Sequence, residues 1–348
     1  MTIPFFDGHN DTLLRLLESP RDDKLDMFIT GTADGHLDLP RAQTAGMKGG
    51  FFAMFPPPVK SSLDSVAGNP GGGTGELPPL LELTEAQRST NGMAALLFRL
   101  ERAGALALCR SAADIRAALA AERLAAIFHI EGAEAIDTDF HAFEVLYAAG
   151  LRSIGITWSR ANAFGTGVPF RHHADPDIGP GLTDAGKELV RLCDVQGVMI
   201  DLSHLNAAGF RDVAALSTKP LVATHSNVHA ISPSTRNLVD WQLAAIRDSG
   251  GVVGLNYATG FLRPDGEFNA DTPIEVMVRH VDALVEALGE DGVALGSDFD
   301  GARISAEIGD VIGTQKLLAA LIDKGYGETL VRKIALDNWL NLIERTIG

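Results

Sequence analysis

Eight short apolar runs recur along the chain, and most of them are separated by longer segments with helical periodicity. Short runs that are almost entirely apolar are typical of strands buried on both faces of a parallel sheet. Strands that alternate with helices indicate an α/β architecture. The predicted strands are Ile3–His9, Gly50–Phe55, Leu124–Ile130, Leu151–Trp158, Gly197–Leu202, Pro220–His225, Gly251–Tyr257 and Val293–Ser297.

Six intervening segments carry apolar residues at three-to-four spacing, which predicts helices with one face on the sheet. The predicted helices are Phe140–Ala149, Asp184–Gln196, Ala207–Leu216, Asp240–Asp248, Pro273–Leu288 and Val311–Lys324. Eight strands alternating with helices predict a closed (β/α)8 barrel, the TIM-barrel fold. A chain of 348 residues fits one barrel with long loops or two ordinary domains. Because no segment reads as a domain linker, we expect a single domain over 1–348 with loop insertions around 56–79 and 159–181.

The charge balance and the cysteines exclude several classes of protein. Lys and Arg number 29 and Asp and Glu 45, a net charge of −16, whereas nucleic-acid binding needs clustered basic residues. Cys109 and Cys193 form no CxxC motif, so we expect two buried thiols rather than zinc ligands or a disulfide. No apolar run approaches the ~20 residues that span a bilayer. Because polar residues begin by Asp7, where a signal peptide would be apolar, we expect a cytoplasmic protein.

Six side chains able to bind a metal stand at or just after the ends of predicted strands. They are His9, Asp11, Glu131, His204, His225 and Asp298. The first two are two residues apart and therefore share a face of an extended segment. The carboxyl ends of barrel strands meet at one mouth, where catalytic residues lie. Since His nitrogens and carboxylate oxygens bind zinc and similar ions, the sequence predicts a metal site there.

These segments, in this order, resemble the membrane dipeptidase family (renal dipeptidase, peptidase family M19) of the amidohydrolase superfamily. The resemblance covers almost the whole chain and rests on DGHNDTLLRL, HLDLPRAQTAG, IEGAEAI, DLSHLN, ATHSNVHAISPSTRNL, LGSDFDG and KIALDNWLNLI. It implies a barrel of the metal-dependent hydrolase type that cleaves dipeptides with zinc and tolerates a C-terminal D-residue. The chain is similar to the soluble bacterial members, for which a homodimer is expected.

The resemblance also implies a role for each matching residue. His9 and Asp11 would hold the first zinc, His204 and His225 the second, Glu131 would bridge both, Asp298 would lie beside the first zinc as proton shuttle, and Arg236 would meet the substrate's terminal carboxylate. Many relatives on this fold bridge their metals with a carboxylated lysine on the fourth strand. The fourth predicted strand contains no Lys, so Glu131 is the replacement. The expected reaction is attack on the peptide carbonyl by a hydroxide that bridges the two ions.

One position departs from the family pattern. Family members often carry a His after the fourth strand that contacts the substrate, and this chain has Trp158 there, which we take as the candidate substrate contact. His129, His172 and His173 are alternatives for that role, although structural roles are also open for them. Among other carboxylates, we expect Glu134 and Asp300 to orient metal ligands. Asp201 lies one residue off the ligand face of its strand, which indicates a structural role.

Two other functions stay open from the sequence. The same metal pair could act on another small amide or a lactone, such as an N-acyl amino acid. The chain could also be a barrel that binds without catalysis, although the complete set of six metal-competent groups argues against this. His and carboxylate sites also take other divalent transition metals such as Co, Mn or Fe.

Overall fold

The computed structural model describes residues 2–58 and 76–348. Within them, nine parallel strands form one sheet. They are β1 (Phe5–Asn10), β2 (Met47–Met54), β3 (Leu106–Leu108), β4 (Leu124–Glu131), β5 (Leu151–Gly155), β6 (Met199–Asp201), β7 (Val222–Ser226), β8 (Val252–Leu255) and β9 (Val293–Leu295). The neighbour order is β1-β2-β4-β5-β6-β7-β8-β9, and β3 pairs with β4 outside this path.

Backbone contacts between the ends of β1 and β9 bring the first and last barrel strands together. The Asp298 N–H donates to the His9 carbonyl at 3.0 Å, and the Asp11 N–H donates to the Phe299 carbonyl at 2.8 Å. The eight strands therefore form a nearly closed parallel barrel, and the predicted TIM-barrel fold is confirmed. The short ninth strand, β3, was not predicted.

Helices follow most strands. They are α1 (Thr12–Glu18), α2 (Lys24–Ile29), α3 (Leu39–Ala45), α4 (Leu83–Arg102), α5 (Ala112–Ala120), α6 (His141–Ala149), α7 (Asp184–Gln196), α8 (Ala207–Leu216), α9 (Asp240–Asp248), α10 (Thr259–Leu262), α11 (Ile274–Leu288), α12 (Thr314–Lys324), α13 (Glu328–Arg332) and α14 (Asn338–Thr346). Several begin at side-chain caps, as where Thr183 accepts from the Gly186 N–H and Asn206 from the Gly209 N–H. Such caps satisfy backbone donors that the first turn leaves free.

All six predicted helices are present, with small differences at their ends, but α1 to α5, α10, α13 and α14 were not predicted. The longest of these, α4, contains Ser89-Thr90-Asn91-Gly92 in its middle, residues that weaken a helical pattern in sequence. Tertiary packing compensates, since Gly92 lies against Leu17 of α1 so closely that a Cβ there would be 3.0 Å from the Leu17 side chain.

The two predicted insertions have different outcomes. Of the first, 59–75 lies outside the described residues, and 56–58 and 76–79 contain no helix or strand. The second, 159–181, is irregular and is held over the carboxyl end of the barrel by contacts of Gly167 with Leu205 and of His172 with Ser234. The single-domain assignment stays a prediction.

The amino end of the barrel is filled by the C-terminal helix. Trp339 of α14 is fully buried, packs with inward-facing strand residues such as Phe51, and donates its indole N–H to the Leu295 carbonyl at 2.8 Å. Both cysteines are buried and free, as predicted. Among the described helices, none has the length and apolar character needed to cross a membrane.

Candidate metal centre and substrate cleft

Glu131, the last residue of β4, lies at the centre of the predicted cluster. Its Oε1 is 2.9 Å from His204 Nε2 and 3.5 Å from His225 Nε2, while its Oε2 is 3.6 Å from His9 Nε2. The two carboxylate oxygens thus face different histidines. The parallel register that pairs Glu131 with Gly155 of β5 keeps the side chain at the barrel mouth.

A chain of hydrogen bonds fixes the tautomer of His225. The Thr224 hydroxyl donates to Asp201 Oδ2 at 2.7 Å, because the carboxylate can only accept. That hydroxyl must therefore accept from His225 Nδ1, which lies 2.8 Å away. His225 Nε2 then carries a lone pair directed at Glu131 and at His204 Nε2, 3.1 Å distant. A cation between these atoms would relieve their mutual repulsion, so the geometry fits a metal.

His9 and Asp11 complete the other side of the cluster. His9 Nε2 lies 3.4 Å from Asp11 Oδ2, and its ring stacks on that of His225 with centroids 3.9 Å apart. Both His9 nitrogens and Asp11 Oδ1 are buried without a hydrogen-bond partner. Unpartnered buried polar atoms are costly, and a bound cation would satisfy the ones that face the cluster. Ligand atoms of His9, Glu131 and His225 lie within 4.8 Å of one another, as do those of His9, Asp11 and Asp298.

Asp298 stands just beyond β9 in a left-handed backbone conformation, with φ of 60°. Asp is among the few residues that adopt this conformation readily. Its Oδ2 accepts from Asn256 Nδ2 at 3.0 Å, which leaves Oδ1 toward the cluster. Gly301 packs against this arrangement: a Cβ at that position would lie 2.6 Å from Asp298 Oδ1 and closer still to Asp11 Oδ2. The glycine is therefore required by close approach to two of the candidate ligands.

Burial and neighbouring charges shift the ionisation of the cluster. Burial raises the pKa of Glu131 to about 7, against the influence of His9. Burial likewise raises the pKa of Asp298. Burial disfavours protonation of His9, but Glu131 and Asp11 together hold its pKa well above the ordinary value. Burial, followed by the nearby Arg236, lowers the pKa of His204 and of His225 well below normal, so both imidazoles are neutral and able to bind a metal.

Arg236 lies beside the cluster rather than on the open surface. It is 2% exposed, and its guanidinium donates to the carbonyls of Ser203 and of His225. Burial lowers its pKa to about 10, with Asp298 opposing the shift. The Phe261 ring covers the guanidinium, with its centroid 5.2 Å from the central carbon. Only Nε is left without a hydrogen-bond partner among the described residues.

A cleft of about 440 Å³ opens over the cluster. Part of its lining, which we call the aromatic wall, consists of aromatic side chains from the segments after β2, β5 and β8; the other wall consists mostly of charged or small residues from α1 and the loop after β9. The aromatic residues are Phe55, Trp158, Phe170, Phe261 and Phe268. Trp158, the candidate substrate contact, therefore lines the cleft. The four phenylalanines were not singled out from the sequence, because they follow three different strands and share no local pattern.

Arg160 contacts the aromatic wall and the segments that follow β2 and β4. It is fully buried, donates from Nε to Glu134 Oε1 at 3.0 Å and from Nη2 to the Pro56 carbonyl at 3.0 Å, and lies 5.5 Å from the Trp158 ring. The prediction that Glu134 orients a metal ligand is therefore wrong, because its partner is Arg160. Sequence reasoning missed Arg160, since the Arg160–Glu134 pair joins positions 26 residues apart with no local pattern.

Other predicted residues have structural contacts. Asp300 accepts from Thr12 Oγ1 at 2.9 Å and from the His36 N–H at 2.6 Å, and pairs with Arg15, so it too does not contact a candidate ligand directly. Asp201 accepts from the Ser203 and Thr224 hydroxyls, and through Thr224 it also orients the candidate ligand His225, so the structural role predicted for it is only part of its function.

None of the three alternative histidines lines the cleft. His129 is buried inside the barrel on Ser153, at 2.9 Å, and His172 bonds the Pro264 carbonyl at 3.0 Å. His173 is exposed. We find no substitute among them for the histidine that Trp158 replaces.

Comparison with known proteins gives one matching family and several similar structures. The sequence model of the membrane dipeptidase family (peptidase family M19) matches residues 1–347. A metallo peptidase from Rhodobacter sphaeroides, solved with a phosphinate mimic of the dipeptide L-Ala-D-Ala, is 49% identical with a TM-score of 0.95, covering 99% of this chain and 100% of that one. The structure of dipeptidase AC, an M19 metallo peptidase, is 48% identical with a TM-score of 0.93 and full coverage of both chains. An uncharacterized protein in the pqqA 5′ region of Klebsiella pneumoniae is 49% identical over 242 residues, 70% of this chain and 89% of its own length.

Proposed function

The chain belongs to the membrane dipeptidase family, peptidase family M19, and is a metallo-dipeptidase; from this we propose that it hydrolyses dipeptides at two zinc ions held at the mouth of the barrel. The observation that carries the proposal is the position of Glu131, whose two oxygens face different histidines. When bound, the ions would supply Lewis-acid chemistry, which generates hydroxide from water near neutral pH and polarises the peptide carbonyl.

The ligands divide into two sets around Glu131. His9 and Asp11 would hold one ion, and His204 and His225 the other. His204 is oriented by Ser159 Oγ, 2.9 Å from its Nδ1, and His225 by Thr224, so both present Nε2 to the centre. Partners of this kind fix the tautomer and ring orientation of ligating histidines.

Asp298 is the proposed proton shuttle. Asn256 holds one of its oxygens, and the other lies next to Gly301 on the cluster side. Its raised pKa suits a group that accepts a proton from the attacking water and returns it to the leaving amine.

Arg236 is the proposed partner of the substrate's terminal carboxylate, to which an arginine donates in a charge-assisted contact. Its Nε is without a partner among the described residues, which supports this role. Because the Phe261 ring covers the guanidinium, we expect the contact to require a small movement of that ring. Trp158 on the facing loop is the proposed contact for the body of the substrate.

The Rhodobacter sphaeroides relative was crystallised with a mimic of L-Ala-D-Ala. With 49% identity over nearly the whole chain, we propose that this chain also accepts a D-residue at the C-terminal position. The homodimer and the cytoplasmic location expected from the sequence stay predictions, which sedimentation velocity and cell fractionation would test.

Metal content and hydrolysis measured together test the function. Elemental analysis of the purified protein is expected to give about two zinc per chain, and L-Ala-L-Ala and L-Ala-D-Ala should be cleaved until a chelator removes the metal. Cleavage of N-acyl amino acids or lactones but not dipeptides would replace the substrate class and retain the site. Absence of bound metal, with no activity after zinc is added, would overturn the proposal.

A further inference from the structure

Five aromatic rings form a continuous series along one wall of the cleft, which we call the aromatic arc: Phe55, Trp158, Phe170, Phe261 and Phe268. Consecutive centroids are 4.8 Å apart for the first pair, 5.6 Å for the second and third, and 5.5 Å for the last. These separations lie in the range at which aromatic rings attract one another. The arc is therefore one packed surface rather than five separate contacts.

The arc lies directly beside the proposed metal site. The rings of Trp158 and Phe170 are 6.1 and 6.3 Å from that of His204, and Phe261 covers Arg236. Phe170 and Phe268 remain partly exposed although each has aromatic neighbours. An apolar surface kept open to water beside a cluster of polar groups is typical of a ligand subsite.

The other wall has a different character. Asp11, Asp298, Asp300 and the exposed Glu18 give it four carboxylates, against one exposed cation, Arg303. A substrate ammonium group is attracted to that side. Two buried arginines lie beside the arc: Arg160, whose charge is paired with Glu134, and Arg236, which is in no ion pair among the described residues. A dipeptide bound between the walls would direct its carboxylate toward the arc side and its amine away from it.

We propose that the aromatic arc is the subsite for the side chain of the substrate's C-terminal residue, and that the enzyme prefers dipeptides whose C-terminal residue is large and apolar. The inference rests on the proposed function, since it takes dipeptide hydrolysis and carboxylate binding by Arg236 as given. It adds the substrate class and names Phe170 and Phe268 as specificity-determining residues.

The arc selects by burial of apolar surface. A C-terminal Phe or Leu side chain is removed from water against the rings, whereas a methyl group leaves most of that surface open. A C-terminal Asp would lose hydration against aromatic faces, and the five rings carry only one N–H donor, that of the Trp158 indole. The expected order of kcat/KM is therefore Ala-Phe, then Ala-Ala, then Ala-Asp.

The test compares two Phe-to-Ala variants of the zinc-loaded enzyme. Phe170→Ala removes a partly exposed ring from the arc, and the matched control Phe98→Ala removes a partly buried ring from α4, which packs on Phe128 away from the cleft. Phe170→Ala is expected to lower kcat/KM for Ala-Phe about tenfold more than for Ala-Ala, mainly through KM. Phe98→Ala should change kcat/KM for Ala-Phe and for Ala-Ala by the same factor.

Phe-Ala decides which end of the substrate the arc binds. If Phe170→Ala lowered kcat/KM selectively for Phe-Ala instead of Ala-Phe, the proposal would be overturned. An equal fall in kcat/KM for Ala-Phe, Ala-Ala and Phe-Ala would also overturn it. Calorimetric titration with free L-phenylalanine and L-alanine separates this result from failure of the proposed function. Tighter binding of phenylalanine that disappears in Phe170→Ala would support the arc even if no dipeptide were cleaved, and equal binding of the two amino acids would contradict it.

Discussion

The two walls of the cleft are built by different means. The metal-competent side chains lie at or a few residues beyond the ends of β1, β4, β6, β7 and β9, where strand register places them at one mouth. The aromatic arc comes from loops after β2, β5 and β8, whose positions depend on contacts such as those of Arg160 with Glu134 and Pro56. The sheet therefore fixes the positions of the metal-competent side chains. Long-range packing of loops fixes the positions of the side chains proposed to contact the substrate. Changes on the first wall should affect turnover or metal, and changes on the second should affect KM.

The largest expected effect lies on the metal side. Asp298→Asn removes the proposed proton acceptor but keeps a residue that tolerates the left-handed backbone, with φ of 60°, so the fold and the metal should be retained. Loss of general acid–base catalysis is expected to lower kcat by a factor of about 10² to 10⁴. Turnover and metal content measured on one preparation check this.

Two results would contradict the role of Asp298. Full turnover in the variant would exclude it as the shuttle, and loss of metal alongside turnover would make it a ligand first. His204→Ala serves as the comparison variant, because it should lose metal and turnover together.

A smaller effect is expected from the backbone that supports the ligands. Gly301→Ala would place a Cβ too close to Asp11 Oδ2 and Asp298 Oδ1 and push both carboxylates away. Displacement of supporting geometry typically costs about 10- to 100-fold in metal affinity. Competition with a zinc-binding dye measures that affinity.

Gly327→Ala is the matched control for this change. A Cβ on Gly327 meets no atom within 4 Å, and its φ of −67° suits any residue. Equal zinc affinity in the two variants would show that close packing at Gly301 is unimportant for the metal side.

The same division explains what the sequence could predict. All eight barrel strands and the six strand-end residues follow from local apolar runs and their polar ends, and Glu131, His204 and His225 lie together as predicted. The contacts of Glu134 with Arg160, and of Asp300 with Arg15, were not predictable because they join distant loops and helices. The arc was missed for the same reason: four of its five members are isolated phenylalanines whose proximity appears only in three dimensions.

On the arc side, Arg160→Lys is expected to raise KM for dipeptides about three- to tenfold with little change in kcat. A lysine keeps the charge opposite Glu134 but lacks the planar fork that also reaches the Pro56 carbonyl and the Trp158 face. The loops that carry Phe55 and Trp158 should then be less well placed. Steady-state kinetics with Ala-Phe separates KM from kcat.

Arg152→Lys provides a control with similar chemistry outside the cleft. Arg152 lies 4.2 Å from the Tyr147 ring and donates to the carbonyls of Arg110 and Tyr147. Arg152→Lys is expected to lower the free energy of unfolding without raising KM for dipeptides. If kcat fell and KM stayed constant in Arg160→Lys, the separation between the two walls would not hold.

The smallest expected effect on activity concerns a histidine that supports the arc from behind. His280 of α11 accepts from the Val228 N–H at 3.2 Å through Nδ1 and bonds the Leu262 carbonyl at 2.9 Å through Nε2. Val228 follows β7, and Leu262 ends α10, the helix that carries Phe261. Because Nδ1 is an acceptor, protonation of the ring breaks the bond to Val228. Burial lowers the pKa of His280 from 6.5 to about 4, and the neighbouring Arg279 acts in the same direction.

The sign of the pH effect follows from that lowered pKa. The unfolded chain binds this proton first as pH falls, so the contribution of His280 is present above about pH 6.5 and is lost progressively toward pH 4. The full contribution is at most about 3 kcal/mol.

His280→Gln tests this contribution, because glutamine keeps a donor and an acceptor but cannot titrate. Between pH 6.5 and 4, the free energy of unfolding of the variant should fall less steeply than that of the wild type. The two slopes should differ by the equivalent of at most one bound proton. Urea unfolding in chelator across this range measures both slopes, and because the metal ligands titrate equally in the two proteins, their difference isolates His280. Identical slopes would mean that the arc's supporting contacts do not respond to acid, and that any loss of Ala-Phe selectivity at low pH arises on the metal side.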